Sequence, residues 1–264
     1  MAPRTWLLSL ASILAAMLVT GPTAAPAATE VDLALVLAVD VSRSMDIEEQ
    51  ELQRQGFVAA FRSPLVHEAI RSGMLGRISV TYMEWSGERD QNVVVSWTVI
   101  DSPEGAFEFA ERLAQAPIGR IFQTSISGAI DFSVGLLKRS GVESPRRVID
   151  ISGDGPNSSG RTVTHARDEA VAQGITINGL PIMLKRPTGF GDMEHLDLYY
   201  RDCVIGGQGA FMVPVRERHQ FAQAIKTKII REIAGLPPDP LLRRAQADTP
   251  MDCSTRGNWR TYGP

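Results

Sequence analysis

Residues 31–46 read VDLALVLAVDVSRSMD. After Asp32 the run is continuously apolar through Val39, as a central parallel strand buried on both faces requires. It then gives way to Asp40-Val41-Ser42-Arg43-Ser44, where alternate residues of an extended turn face the same way. Asp40, Ser42 and Ser44 therefore present one carboxylate and two hydroxyls to a common point. That point lies just beyond the carboxyl end of a strand, where open α/β sheets gather their functional groups.

Working outward, strand-length apolar runs alternate with segments of helical periodicity, the pattern of a mostly parallel sheet covered by helices. Residues 46–61 carry Ile47, Leu52, Phe57, Val58 and Phe61 among Glu and Gln, an amphipathic helix that Pro64 interrupts and residues 65–70 extend. Residues 77–84 and 92–100 are rich in Val, Ile, Thr, Tyr and Trp. The stretch between them, 85–91, is too short for a crossover helix, so the pair is predicted to form an antiparallel hairpin at one edge. Further strands are expected over 147–152, 175–184 and 210–215, and helices over 103–114, 125–137, 162–173, 193–203 and 217–233. Gly235 and the prolines at 237, 238 and 240 stop the last helix. There is no internal repeat.

The 264 residues hold 44% hydrophobic and 22% charged side chains, enough apolar material for a core and too little bias for disorder or a coiled coil. A net charge of −3 offers no overall attraction to polyphosphate, which argues against nucleic acid as a partner. Residues 1–28 read as a secretory signal peptide: Arg4 is the positive start, 6–19 an apolar run, 21–28 a small, Ala-rich cleavage region. The apolar run is shorter than the roughly 20 residues of a membrane span, so no span is expected after cleavage. The chain is thus expected to be exported, periplasmic or extracellular, with one α/β domain over 30–236 and an irregular tail over 237–264. Two cysteines, Cys203 and Cys253, match no zinc-binding spacing and could pair in an oxidising compartment.

Two further motifs meet the first. Ser152-Gly153-Asp154-Gly155 closes another apolar strand, its glycines letting the chain turn sharply and leaving the Asp154 carboxylate at the top of the sheet. Thr124 opens a helix and adds a hydroxyl at the same rim. Taken singly, Ser42 or Thr124 would read as a helix cap and Asp40 as a turn residue. Together, Asp40, Ser42, Ser44, Thr124 and Asp154 are hard oxygen donors in the number that Mg²⁺, or alternatively Mn²⁺, uses alongside water. Two close acids without a cation would instead force one to hold a proton.

Asp-x-Ser-x-Ser after an apolar strand, Thr-x-x-x-x-Ala-Ile opening a helix, and an apolar strand ending in Asp-Gly resemble the metal-ion-dependent adhesion site (MIDAS) of von Willebrand factor type A (vWA) domains. The resemblance covers roughly residues 31–235, and the five residues above match all five ligand positions. More narrowly, LVLAVDVSRSMD, SISGAIDFS, VIDISGDGPN and YYRDCVIGGQGAF resemble an exported bacterial vWA-like family known as domain of unknown function 1194. The resemblance implies a doubly wound, Rossmann-like fold: a mostly parallel six-stranded sheet with one antiparallel edge strand and helices on both faces. It also implies a non-enzymatic binding module, in which an Asp or Glu carboxylate from a protein partner completes the coordination of the ion.

The rim loops 85–91, 118–123, 156–161 and 185–192 would set specificity through Trp85, Arg89, Arg120, Arg161, Lys185, Arg186 and Phe190. Asp150 lies inside an apolar strand and needs a partner, for which Arg146 or Arg147 is expected. The four histidines form no nucleophile–base pair by spacing. The competing reading is a Mg²⁺-dependent phosphoryl-transfer or hydrolytic enzyme with Asp40 as nucleophile and Asp154 as metal ligand. Against it stand the lack of a P-loop and of any motif-placed cation for a phosphate.

Overall fold

The structure, a computed structural model, describes residues 28–119, 123–185, 193–235 and 251–253. The expected signal peptide, Arg120, Arg186, Phe190 and most of the tail lie outside these residues. Strand β1 (Thr29–Glu30) leads to β2 (Leu33–Asp40), α1 (Ile47–Phe61), α2 (Pro64–Arg71), β3 (Ile78–Trp85), β4 (Gln91–Ile100) and α3 (Pro103–Gln115). Then follow α4 (Ile126–Lys138), β5 (Val142–Glu143), β6 (Arg147–Gly153), α5 (Val163–Ala172), β7 (Ile175–Pro181), α6 (Leu196–Tyr199) and α7 (Phe221–Ala234). The main sheet runs β4-β3-β2-β6-β7, parallel except for the β3–β4 hairpin, and β1 pairs with β5 apart from it.

This sheet has five strands, not the expected six. Residues 210–215 run beside β7 but meet it only at single bridges, Met212 to Gly179 and Val215 to Ile182. Val213 N donates to Gly179 O at 3.0 Å, Val215 N to Pro181 O at 2.9 Å and Met183 N to Val215 O at 2.7 Å. The missing rung falls at Pro181, which has no N–H to give, so β7 stops there and the sixth ladder never closes.

The period of two along β2 divides the molecule. Leu33, Leu35, Leu37 and Val39 pack with Phe57 and Phe61 of α1, Phe109 of α3 and Ile225 and Ile229 of α7. Ala34, Val36 and Ala38 face Ile126 and Ile130 of α4, Ala166 of α5 and Tyr199, Tyr200 and Cys203 around α6. Side chains at 148, 150 and 152 of β6 alternate onto the α1/α7 face, which explains the fate of Asp150. Its partner is Lys228 of α7, 2.5 Å away, and not Arg146 or Arg147. Both arginines sit at the strand's start and are used on helix ends: Arg146 donates to the Ile233 and Glu232 carbonyls, and Arg147 to that of Gln173.

Candidate metal site

Because β2 pairs in parallel with β6, with Val39 opposite Ser152, their carboxyl ends lie side by side. Asp40 ends β2 fully buried, and the Ser42 backbone N–H donates to its Oδ1 at 2.7 Å. The Ser42 and Ser44 hydroxyls are 2.9 Å apart, and Ser44 Oγ donates to Asp154 Oδ1 at 2.6 Å. Four of the five expected donors thus form one chain of contacts, reaching the surface at exposed Ser44. The loop passes directly into α1, where Asp46 caps the helix and exchanges hydrogen bonds with Glu49 in a capping box.

Thr124 reaches this rim by its backbone. Its carbonyl accepts from the N–H groups of Ser158 at 2.9 Å and Ser159 at 3.1 Å, so the start of α4 is tied to the loop that follows Asp154. Ser125, not Thr124, caps α4. Among the described residues the Thr124 side chain has no hydrogen bond to Asp40, Ser42, Ser44 or Asp154. Gln123, with φ of 75°, turns the chain in the left-handed region just before it, a strained conformation for a residue other than glycine.

The electrostatics are those of two neighbouring buried acids. Burial, and then the charge of Asp154, push the Asp40 carboxyl up to about 8, against the opposing bonds from Ser42. Burial raises Asp154 to about 6, while Ser44 and Lys185 pull it down. Asp40 Oδ2 is buried with no hydrogen-bond partner, and so is the Tyr200 hydroxyl. Gly153 lies between them: a Cβ there would stand 2.8 Å from Asp40 Oδ2 and 3.1 Å from the Tyr200 oxygen. Lys185 supplies a cation at the rim. Its ammonium pairs with buried Glu49, donates to Ser44 O at 2.5 Å and stands 3.9 Å from Asp154 Oδ2.

Sequence reasoning missed Glu49 and Tyr200. Glu49 was legible as the third residue after a capping Asp, whereas nothing local marks Tyr200. Trp85, expected at the rim, is the last residue of β3 and is fully buried against the α4 face. Arg161 is engaged by Asp131 and Glu169. Among the described residues no group of three or more His, Cys, Asp and Glu gathers to hold a metal, so any ion here relies on hydroxyls beside two carboxylates. A cavity of about 630 Å³ opens at the opposite end of the sheet, and two of its arginines, Arg146 and Arg147, are those that end α7 and α5.

A family model described as "Protein of unknown function (DUF1194)" matches residues 30–237. The chain belongs to this family. Solved structures similar to this DUF1194 chain include proximal thread matrix protein 1 of the mussel byssus, 13% identical with a TM-score of 0.57 over 78% of this chain and 49% of that one. Another structure of that mussel protein, 11% identical with a TM-score of 0.54, has a zinc-occupied MIDAS motif and is covered to 47%, against 78% of this chain. The vWF domain of Mfa5, a type V pilus tip protein of Porphyromonas gingivalis, is 10% identical with a TM-score of 0.52, over 80% of this chain and 98% of that one. At such identities the likeness is one of fold, and the DUF1194 chain has a vWA-like fold. A curated relative, the anhydro-N-acetylmuramic acid kinase of Shewanella amazonensis, is 31% identical over 51% of this chain. This chain spans about a third of that relative's length, 36%.

Proposed function

We propose that this DUF1194 chain is an exported, non-enzymatic binding module. Its divalent-metal site, held by Asp40, Ser42, Ser44, Thr124 and Asp154, receives an Asp or Glu carboxylate from a protein partner. The observation that carries this reading is the buried, partnerless Oδ2 of Asp40, a carboxylate joined to a second acid, Asp154, through Ser42 and Ser44. An orphaned buried acceptor is costly, and a cation supplies both the missing partner and the charge that two neighbouring carboxylates need. The donors are all hard oxygens, which fits Mg²⁺ or Mn²⁺. The zinc-occupied MIDAS of the mussel protein supports a divalent ion at a site of this kind. Once bound, the ion would offer an open position and positive charge to the partner's carboxylate.

Export is supported by the signal-like residues 1–28, by the pilus tip neighbour and by the Cys203–Cys253 disulfide, a bond suited to oxidising compartments. No helix among the described residues is long and apolar enough to cross a membrane. Asp40 fits poorly as a nucleophile, because one oxygen accepts from Ser42 and neither reaches solvent.

The test is uptake of Mg²⁺ or Mn²⁺ followed by thermal unfolding and calorimetry. The wild type is expected to gain stability by mass action and Asp40→Ala to gain none. An equal gain in Asp40→Ala would sink the assignment. A partner recovered from the exported fraction should bind with Mg²⁺ and release with chelator, Thr124→Ala weakening it and Asp154→Ala weakening it more.

A further inference from the structure

We infer that Lys185 is the built-in counter-ion of this site and competes with the divalent ion for it, so that its charge sets the metal affinity. The inference rests on the metal reading above and adds its regulation.

Lys185 follows β7 on the stretch that Met183 anchors to Val215, which carries its side chain over the carboxyl ends of β2 and β6. Its ammonium gathers acids from two separate elements. From the start of α1 it takes Glu49 as an ion pair and Asp46 Oδ2 at 3.8 Å, and from the β6 loop Asp154 Oδ2 at 3.9 Å. It also donates to the Ser44 carbonyl. Ser44 and Asp154 are two of the proposed donors, so the lysine already occupies the electrostatic position that an incoming ion would share. Arg218 is directed at Asp46 and Glu48 on the outer side of α1, and Arg216, which lines the same cleft, pairs with Asp197. Glu49 is buried while Lys185 is about half exposed, 46% by side chain, so the lysine reaches these acids from the solvent side.

Two opposite effects follow from removing that charge. The metal-free protein loses the partner of a buried carboxylate and becomes less stable. The divalent ion loses a like-charged neighbour and binds more tightly. A lysine that merely braced the loop would lower both stability and affinity, so the crossing of signs is diagnostic.

The experiment uses the full chain, with Mn²⁺ and Mg²⁺ alone as probes, titrated by calorimetry, and thermal unfolding in chelator as the second readout. Lys185→Met is expected to bind Mn²⁺ about tenfold more tightly than wild type and to melt lower in chelator. Lys185→Gln, which keeps a donor for the Ser44 carbonyl, should show the same gain if the methionine variant folds poorly. Lys185→Arg keeps the charge and should stay within about twofold of wild type, and Lys226→Met on α7 controls for a general loss of charge. Unchanged or weaker affinity in both neutral variants, with wild-type binding still abolished by Asp40→Ala, overturns the role of Lys185 and leaves the metal site standing. Absence of ion binding in wild type and all variants overturns both.

Discussion

Asp40 and Gly153 show how little room the site leaves for error. The chain turns at Gly153 so close to Asp40 that a single methyl group would press on the carboxylate oxygen that lacks a partner and on the Tyr200 hydroxyl behind it. Neither neighbour is the free end of a flexible chain: Asp40 is short and Tyr200 is fully buried. Gly153→Ala should therefore cost about 1–3 kcal/mol, read from urea unfolding, and should blunt the stabilisation by Mg²⁺. Full wild-type stability together with a full metal response would show that the space beside Asp40 Oδ2 is unimportant.

Helix α1 and strand β3 hold the loop that leads to Thr124 through a buried pair. Arg54 of α1 is bonded to Glu84 of β3 and donates to the carbonyls of Leu113 at 2.8 Å and Ala116 at 2.9 Å, while Glu84 Oε2 accepts from Gly119 N at 2.9 Å. Arg54→Met strands the buried Glu84 and should cost about 3–5 kcal/mol, of which Arg54→Met/Glu84→Gln should recover a part. Additive losses in the two single variants and the double would mean that the pair is not coupled.

On the same face, between α7 and the sheet, Glu232 faces Lys228, Asp150 and Asn178, with Arg146 at its own carbonyl. Burial, then the charge of Asp150, raise Glu232 from its ordinary 4.5 to about 7. A raised carboxyl favours folding in its protonated form, so this contribution is full below about 4.5 and is lost as pH rises through about 7. Glu232→Gln should flatten that part of the stability–pH curve in chemical denaturation, and an unchanged slope would refute the assignment.

Across the whole molecule the candidate metal site is backed by the α6 region, to which residues 251–253 are fastened covalently. Cys203 stands next to the turn that carries Tyr200 and is joined to Cys253, fifty residues on, while Met251 N donates to Asp202 Oδ2 at 2.9 Å. Closing a loop of that length stabilises by about 2–4 kcal/mol through the unfolded chain. Cys203→Ser/Cys253→Ser should unfold at correspondingly lower denaturant, and the wild type should yield no free thiol after denaturation without reductant. Free thiol in the wild type under these conditions would remove the bond from the native state.

Local order was readable from the chain because it is written at short range. The continuous apolar run 33–39 marked β2 as buried on both faces, the seven residues after Glu84 left room only for a hairpin, and the backbone period of Asp-x-Ser-x-Ser turned its three polar side chains the same way. The parallel pairing of β2 with β6 sets Asp154 beside Ser44. What packing alone settled involves residues far apart in the chain: Lys228 rather than an arginine for Asp150, the pairing of Lys185 with Glu49, and Trp85 turned inward. The sixth strand failed for a related reason, since residues 210–215 have strand character but their ladder depended on an N–H that Pro181 in the neighbouring strand does not possess. Periodicity fixes which way a side chain points. Which group it meets there depends on helices arriving from elsewhere in the chain, and these are positioned by the burial of their own apolar faces.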